Sequence, residues 1–585
     1  MKDIIADLIQ SIVNTLSEEQ VLPAEPNYKL NIDASKDKSH GDFASNIALV
    51  LSKQASMAPR KLAEIIVEKI NSADHQNIEK VEIAGPGFIN FFVASGSNFT
   101  TLKSVFEQKG AFGRSNIGAG QRYQVEFVSA NPTGPLHVGH GRGAAYGASV
   151  ADLLEAVGYE VEREYYVNDA GRQMNILAAS VWLRYLQIHH QDITFPVNGY
   201  KGDYIHDIAA ALNTKHADRF DRSPETIFTN LPKDEHEGGD KELYIDALIA
   251  KAKALLETDY ELVFNQGLEA IVDDIREDLG QFGVHYQGWF SEASLKQDID
   301  AALTRLDANG HLYQQDGALW FRSTTFGDDK DRVVKRDNGE TTYFASDIAY
   351  HLNKFERGFD KVINIWGADH HGYIPRVNAA LEALGLAPEK LDVRLVQFAI
   401  LYRGKERVQM STRSGSFVTL RELREEVGND AARFFYVTRK AEQHMDFDLD
   451  LAKSQSKDNP VYYIQYAHAR IASMLRKISD MSIEYDTTVG TETLTANAND
   501  GEVDLAKRIA NYPKTLETAA SNLEPHMLTH FLRDLASEFH TYYNSHKILV
   551  DDSAVRNARI TLSIAVQQVL RNGLKLLGVN APDEM

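Results

Sequence analysis

The clearest hydrophobic pattern of the chain lies within residues 123–167. Polar and apolar side chains alternate over 123–129, which predicts a β-strand. A loop rich in proline and glycine follows, and the segment 139–158, rich in alanine and glycine, predicts a helix. Residues 160–167 predict a second strand. A parallel strand–helix–strand unit is nearly always right-handed, and the free N–H groups at the start of its helix suit a phosphate.

A second set of strands is predicted farther along the chain. The nearly continuous apolar run KVINIWG (361–367) is typical of a buried parallel strand, whereas 341–356 predict a strand, a turn and a helix from near Ser346. Both predictions place chemically useful side chains, Asp347 and the stretch 369–371, at carboxyl ends of strands, where open α/β sheets bind ligands. Further strands are predicted over 318–322, 332–336 and 393–400, and a helix from near Pro375.

Apolar residues at helical spacing dominate two long segments. Residues 180 to about 290 predict a helical insertion between the two sets of strands. Residues 420–440 predict two helices that are broken at Gly428. From Asn459 onward the chain predicts helices again, interrupted by a polar loop over 491–502.

The first 115 residues predict a small α/β domain. The chain starts with an amphipathic helix, and residues 40–55 predict another helix, which Asp42 is placed to cap. Residues 81–93 predict two short strands around a Gly-Pro-Gly turn. No residue of this segment by itself indicates a site.

Composition narrows the class of protein. A chain of 585 residues, with 43% hydrophobic and 25% charged residues, predicts three or four globular domains. The absence of cysteine from the sequence excludes disulfides and thiolate metal sites. No apolar run is long enough for a membrane span, and acidic residues interrupt the first helix, so we expect a cytoplasmic protein with no membrane partner. The net charge of −21 argues against indiscriminate nucleic-acid binding but leaves a local RNA surface open.

Two histidines stand where the first helix of the strand–helix–strand unit begins. Gly139 lacks a side chain, so an adenosine can approach the backbone closely. His137 and His140 can donate hydrogen bonds to phosphate oxygens as negative charge builds in a transition state. The alternative is an exposed helix cap with two incidental histidines, because short motifs recur freely.

A family resemblance rests on this stretch. SANPTGPLHVGHGRG (129–143) resembles the first signature of class I aminoacyl-tRNA synthetases, and EFVSANPTGPLHVGH is similar to its form in arginyl-tRNA synthetases. Similar stretches cover nearly the full length: GDFASNIA, AGPGFINF, YYVNDAGRQM, WGADHHGY and the terminal LKLLGVNAPDEM.

The resemblance implies an α/β fold in three parts. A Rossmann-like parallel-sheet catalytic domain is expected over 116–455, with the helical insertion at about 180–290. A small N-terminal α/β domain that contacts tRNA is expected over 1–115, and an all-α anticodon-binding domain over 456–585. In the last domain three aromatic side chains, Tyr462, Tyr463 and Tyr466, are placed either to stack on unpaired bases or to fill the core.

The chemistry of arginine indicates which residues would hold it. A guanidinium is planar and always charged, so its site needs carboxylates in fixed geometry, for which Glu126 and Asp347 are suitable. Tyr343 can pack on the guanidinium or its stem, and Ser129 and Asn131 can hold the α-ammonium and carboxylate. The resemblance implies the same pocket for all of these except Ser129. The alternatives are a solvent-facing charge at Glu126 and a helix N-cap at Asp347.

The stretch 369–371 has a rival interpretation. Asp-His-His also occurs in metal-dependent phosphoesterases, but such a site needs further Asp and His at other strand ends, and no convincing set is found. The resemblance instead implies that Asp369 and His370 lie near ATP and His371 near arginine. Asn168 and Asp169, after the second strand, either cap the next helix or contact substrate.

A second phosphate-binding loop departs from the family pattern. QMSTR (409–413) stands where class I enzymes have KMSKS: Met410 and Ser411 match, but glutamine and threonine replace the two lysines. Departure of pyrophosphate needs positive charge, for which Arg413 is the first candidate and Lys405 the next. The alternative is a surface loop with no role in catalysis.

The resemblance therefore implies an enzyme that activates arginine with ATP and transfers it to the 3′ end of a tRNA. Mg²⁺ is expected to come with ATP, and no metal held by the protein is expected. The family pattern further implies that adenylate formation needs bound tRNA and that the enzyme is a monomer. Two alternatives remain: a class I synthetase of another specificity, and a catalytically silent paralogue that only binds tRNA.

Overall fold

The structure is a computed structural model that describes residues 2–35, 40–73, 78–93, 97–408 and 418–585. Its N-terminal part has a core of its own, in which helices pack on one face of an antiparallel sheet of strand order β1-β2-β4-β3. The elements are α1 (Lys2–Glu18), β1 (Ile32–Ala34), β2 (Phe43–Ser45), α2 (Ile47–Leu51), α3 (Pro59–Ser72), β3 (Ile78–Ala84) and β4 (Phe88–Val93). The next helix, α4 (Ser97–Gln108), packs in the larger core described below.

The hairpin predicted around the Gly-Pro-Gly turn is confirmed as β3 and β4. The helix predicted over 40–55 is wrong in its first half, because residues 43–45 form β2 and pair with β4. Asp42 consequently caps no helix: its carboxylate accepts a hydrogen bond from the Val93 N–H at 2.9 Å and pairs with Lys507.

The central element of the molecule is a five-stranded parallel sheet of order β12-β11-β5-β6-β7. Because all five strands run the same way, their carboxyl ends meet at one edge, with β5 in the middle. The elements of this part, up to the end of the helical insertion, are β5 (Arg122–Phe127), α5 (Val138–Ala156), β6 (Glu160–Val167), α6 (Arg172–His189), α7 (Asp203–His216), α8 (Pro224–Phe228), α9 (Lys241–Leu256) and α10 (Tyr260–Gln281).

After the insertion the chain returns to the sheet and then adds a smaller antiparallel sheet, β10-β9-β8. The elements are β7 (Gly288–Ser291), α11 (Lys296–Ala308), β8 (Leu312–Gln315), β9 (Ala318–Phe321), β10 (Arg332–Lys335), α12 (Tyr343–Glu356), β11 (Lys361–Gly367), α13 (Ile374–Ala383), β12 (Leu391–Val396), β13 (Ala399–Arg403), β14 (Glu406–Arg407), α14 (Leu420–Val427), α15 (Asn429–Tyr436), β15 (Met445–Asp448) and α16 (Leu449–Lys453).

Two predictions in this part are wrong in detail. The strand predicted at the start of 341–356 is absent from the described chain, because α12 already begins at Tyr343. Asp347 therefore lies inside a helix, neither at the end of a strand nor at an N-cap. The single strand predicted over 393–400 is two strands, and β13 pairs with β14 and β15 in a separate sheet.

The C-terminal part is helical, as predicted. Its helices are α17 (Pro460–Asp480), α18 (Thr487–Asn497), α19 (Asp500–Ala510), α20 (Tyr512–Asn522), α21 (His526–Ser545) and α22 (Ser553–Leu576). The polar loop predicted over 491–502 is wrong, because α18 and α19 occupy almost all of it. The segment is rich in Thr and Asn and therefore resembles a loop by composition. Its Leu494 nevertheless packs in the core, and its Asn499 caps α19.

The five-stranded parallel sheet, the insertion and the C-terminal helices share one continuous hydrophobic core. No helix among the described residues is both long and apolar enough to cross a membrane.

Candidate active site

A crevice of about 1500 Å³ opens at the carboxyl edge of the parallel sheet. The turn after β5, the N-terminus of α5, the segment after β6 and the start of α12 form its walls. Eight of the residues predicted for the site line it: Ser129, Asn131, His137, Gly139, His140, Tyr343, Asp369 and His370.

The turn after β5 has an unusual backbone. The strand ends at Phe127, and Val128 and Ser129 have φ values of 69° and 42°, a region that a β-branched residue rarely adopts. The turn directs the Ser129 hydroxyl back to the strand, where it donates to Glu126 Oε1 at 2.9 Å and accepts from the Tyr166 N–H at 3.0 Å. β5 is thereby linked to β6 at the wall of the crevice.

The N-terminus of α5 is capped by its own histidines. His137 Nδ1 accepts from the Gly139 N–H at 3.1 Å, His140 Nδ1 accepts from the His137 N–H at 3.3 Å, and the two rings stack 3.7 Å apart. A neutral imidazole whose Nδ1 accepts carries its proton on Nε2. Burial lowers the pKa of both rings, to about 3 for His140, so both are neutral Nε2–H donors at the crevice.

Gly139 has a reason to be glycine that differs from the predicted one. A Cβ at this position would approach the His137 ring to 2.8 Å and Phe398 to 3.1 Å. The missing side chain thus lets the His137 ring fold onto the helix N-terminus, and Gly139 also lines the crevice.

Two acids, Asp347 and Glu292, influence each other near the crevice; Glu292 lines it, whereas Asp347, which was expected to line it, is buried and does not belong to the lining residues. Asp347 is 9% exposed and accepts a hydrogen bond from the Tyr373 hydroxyl. Burial raises the pKa of its carboxyl to about 8, and the charges of Glu292 and Glu126 add to the effect. Burial also raises the pKa of Glu292, which lines the crevice.

Glu292 is the residue that sequence reasoning missed. Its Oε2 atom and the Tyr166 hydroxyl are both buried and make no hydrogen bond of good geometry in the described part of the chain, although the Ser346 and Tyr166 side chains lie close enough to Glu292 to oppose the rise in its pKa. The signal for it was present: GWFS is a short run of strand-forming residues, and it is followed directly by an acid. The insertion is predicted to extend to about residue 290, whereas residues 288–291 form β7 at the edge of the sheet.

Glu126 is held behind the crevice wall. Its Oε1 accepts from Ser129, and its Oε2 pairs with the ammonium of Lys354, which is completely buried. The structure therefore corrects the expectation that this carboxylate faces the crevice, because Glu126 is buried and does not belong to the residues that line it.

His371 is a second correction. It is exposed and does not belong to the residues that line the crevice, whereas Tyr373, two residues later, makes the contact with Asp347. The turn of 3-10 helix over Ala368–Tyr373 rotates these side chains to different sides.

The dipeptide after β6 fixes both sides of the crevice. Asn168 donates to Asn131 Oδ1 at 2.9 Å. Asp169 accepts from the Ser291 hydroxyl at 2.5 Å and from the Ala293 N–H at 2.8 Å, and so holds the turn that carries Glu292. Neither caps the next helix, whose N-cap is Gly171.

The predicted second phosphate-binding loop lies mostly outside the described residues. Residues 409–417, and with them Met410, Ser411 and Arg413, lie outside the described residues. Lys405 is exposed in the turn between β13 and β14. No group of three or more His, Cys, Asp or Glu side chains suited to a metal is found in the described ranges.

Comparisons with known proteins identify the family. Three family models match successive parts of the chain: "Arginyl tRNA synthetase N terminal domain" over residues 2–93, "tRNA synthetases class I (R), catalytic domain" over 101–454 and "DALR anticodon binding domain" over 464–585. An arginine–tRNA ligase of Thioalkalivibrio sulfidiphilus is 58% identical, and one of Hydrogenovibrio crunogenus 56%, each over 100% of both chains. The chain belongs to the arginyl-tRNA synthetase family.

The solved structure of Thermus thermophilus arginyl-tRNA synthetase matches the fold with a TM-score of 0.72 at 21% identity and covers 100% of both chains. The predicted fold class is thus confirmed: a class I catalytic sheet with a helical insertion, a small N-terminal α/β part and a helical C-terminal part. As a class I synthetase this protein is a ligase and uses ATP as a substrate.

Proposed function

We propose that the crevice is where this arginyl-tRNA synthetase joins arginine to AMP. The enzyme activates arginine with ATP and charges tRNA with it. The arginine carboxylate attacks the α-phosphorus of ATP, pyrophosphate leaves, and a ribose hydroxyl of tRNA then attacks the carbonyl of the adenylate. No protein nucleophile is needed, so positioning and electrostatic stabilisation carry the catalysis.

The observation that supports arginine most directly is the buried acid Glu292 in the lining of the crevice. Buried polar atoms are nearly always well hydrogen-bonded, yet Glu292 Oε2 and the nearby Tyr166 hydroxyl make no bond of good geometry, which leaves both able to accept from a ligand. A guanidinium has five donors in one plane and suits two carboxylates at once. We assign it to Glu292 and Asp347, with Tyr343 packed on its face or stem.

The other end of arginine lies toward the turn after β5. Ser129 and Asn131 line the crevice there and are held by Tyr166 and Asn168, respectively. In the proposal they bind the α-ammonium and orient the carboxylate toward ATP.

ATP takes the remaining part of the crevice. The neutral Nε2–H groups of His137 and His140 donate to its phosphates, beside the bare backbone of Gly139, and Asp369 and His370 contact its adenosine. Mg²⁺ enters with the triphosphate as part of the substrate. Met410 and Ser411 belong to the proposal on sequence resemblance, and Arg413 belongs to it as the nearest cation that can replace the missing lysines of the loop.

The tRNA spans three parts of the chain in this proposal. Residues 1–115 contact the tRNA body, 116–455 hold its 3′ end, and 456–585 read the anticodon. On α17 the rings of Tyr462 and Tyr466 are parallel, with centroids 6.2 Å apart, and Tyr466 is 40% exposed, which favours stacking on a base. The enzyme is proposed to be a cytoplasmic monomer.

The test is arginine-dependent exchange of pyrophosphate into ATP, measured with and without tRNA. Glu292→Gln and Asp347→Asn should each raise the arginine KM by about ten- to a hundredfold, because each removes a charge-assisted hydrogen bond to a cation. The ATP KM should change less than about twofold. An equal rise in both KM values would remove these acids from the arginine pocket, and absence of exchange in the unmutated enzyme with tRNA would indicate the silent paralogue.

A further inference from the structure

A lysine is buried behind the proposed arginine pocket. Lys354 lies on α12, seven residues after Asp347 and therefore on the same face of the helix. Its ammonium contacts Glu126 Oε2, donates to Asn364 Oδ1 at 2.7 Å and lies 4.4 Å from the centre of the Tyr350 ring. The side chain is completely inaccessible to solvent.

The environment of Lys354 fits a permanent cation. A buried charge is tolerated only when it is paired and hydrogen-bonded, and here a carboxylate, an amide oxygen and an aromatic face supply these interactions. Glu126 is satisfied in turn, by Lys354 on one oxygen and Ser129 on the other. The pair is complete without a ligand, whereas Glu292 Oε2 makes no hydrogen bond of good geometry in the described part of the chain.

The same lysine is connected to the backbone beneath Asp347. Because Asn364 accepts from Lys354 through Oδ1, its Nδ2 donates to His351 Nε2 at 2.9 Å. The His351 proton is then on Nδ1, which donates to the Asp347 carbonyl oxygen at 2.8 Å. One hydrogen-bonded chain thus runs from Glu126 to the helical turn that presents Asp347.

We propose that Lys354 is a positioning residue that sets the charge of the arginine pocket. By neutralising Glu126 it removes that carboxylate from ligand binding and leaves Glu292 and Asp347 as the two acceptors of the guanidinium. This inference rests on the proposed function and adds to it that Glu126 acts through Lys354 and Ser129, without touching arginine.

Removing one charge of the ion pair, and then both charges together, tests this inference. In Glu126→Gln the Lys354 ammonium has no counter-ion and repels the guanidinium, so the arginine KM should rise about thirtyfold. In the double variant Glu126→Gln/Lys354→Met both charges are gone, and the arginine KM should return to within about threefold of the unmutated enzyme. A direct guanidinium ligand at Glu126 predicts the opposite, since the double variant would stay as impaired as Glu126→Gln.

The melting temperature and the ATP KM provide the controls. Removing both members of a buried ion pair is tolerated better than removing one, so the double variant should melt close to the unmutated enzyme, and its failure to fold would contradict the proposal. Arg357→Met breaks a neighbouring ion pair, to Glu164, and should lower the melting temperature without changing the arginine KM. The ATP KM of Glu126→Gln should stay unchanged, whereas a merely loosened fold would raise it together with the arginine KM.

These measurements distinguish failure of the inference about Lys354 from failure of the proposed function. If Glu292→Gln and Asp347→Asn leave the arginine KM unchanged, the pocket itself is misassigned. If they raise it and the double variant remains impaired, only the role given to Lys354 is wrong.

Discussion

Three carboxylates lie in or near the crevice, and each is held differently. Glu126 is paired with a buried lysine, Asp347 accepts from a tyrosine hydroxyl, and Glu292, which lines the crevice, has one oxygen that makes no hydrogen bond of good geometry in the described part of the chain. Identical functional groups therefore differ in their readiness to bind a cation. The acid paired with the lysine is the least available, and Glu292 is the most.

The raised pKa of Asp347 predicts a pH-dependent affinity for arginine. Arginine binds the ionised carboxylate, whereas the free enzyme has a pKa of about 8 at this group, so a proton must be released at neutral pH. The kcat/KM for arginine should rise up to about tenfold per pH unit below pH 8 and level off above it. Steady-state exchange kinetics between pH 6 and 9 measure this, with kcat/KM for ATP as the reference. Asp347→Asn should abolish the dependence, and a profile unchanged by that substitution would assign it to another group.

His140 allows a second prediction at this scale. Its Nε2–H is expected to serve the phosphates of the transition state, so His140→Asn should lower kcat of adenylate formation about a hundred- to a thousandfold, with the arginine KM nearly unchanged. Because the pKa of the ring is lowered to about 3, the unmutated enzyme should show no titration of His140 between pH 5 and 8. Rapid-quench measurement of the adenylate tests both; a raised arginine KM with kcat intact would place His140 in binding alone.

Single residues were predictable from the sequence where a motif fixes both the element and the position. His137, Gly139 and His140 follow directly from a strand, a loop and a helix start, and all line the crevice. Glu292 was not predictable in the same way, because its place depends on β7 joining the sheet after a long insertion. The pairing of Glu126 with Lys354 joins residues 228 positions apart, which no local pattern encodes.

At the scale of elements, tertiary contacts decided the cases in which local pattern failed. Residues 341–345 contain Thr and aromatic side chains that favour a strand, yet the chain turns at Thr342 and starts α12, whose next residues fill a core against β8–β10. The buried strand β11 was predicted correctly over its whole length, because an apolar run between a charged segment and a glycine has few alternatives.

The turn after β7 gives a prediction for an element. Asp169 holds this turn through Ser291 and Ala293, and the turn carries Glu292. Asp169→Asn keeps the shape but weakens one charge-assisted hydrogen bond, so the arginine KM should rise about tenfold while kcat changes little. Asp486→Asn, which weakens the cap of α18 in the C-terminal helices, is the matched control and should change stability alone. Equal effects of the two substitutions on the arginine KM would show that Asp169 acts only through stability.

For the whole molecule, the shared core predicts that the parts unfold together. The C-terminal helices are predicted from apolar spacing, but their attachment to the sheet is not, because it depends on contacts between residues far apart in the chain, among them a buried arginine that bonds backbone carbonyls. Arg433 on α15 is the clearest of these: it is fully buried and donates to the carbonyl oxygens of Leu577, Phe282 and Gly283.

One guanidinium thus joins the end of the last helix, the exit of the insertion and the catalytic part. Burial lowers its pKa to about 10, which still leaves it charged at neutral pH. Gly578 makes room for it, because a Cβ there would approach the guanidinium to 2.4 Å. Arg433→Met leaves three carbonyls without this donor, which should cost about 3 kcal/mol at roughly 1 kcal/mol for each bond.

Calorimetry is the measurement that distinguishes loss of coupling from general loss of stability. In Arg433→Met the C-terminal helices should melt separately and at a lower temperature than the catalytic part, because a buried polar link between them is gone. Arg533→Met, at an exposed arginine of α21, should leave the melting profile unchanged. Charging of tRNA should fall more than pyrophosphate exchange at saturating tRNA, since only charging needs the 3′ end placed from a distant anticodon. A single unshifted transition in Arg433→Met would mean that the apolar core alone couples the parts.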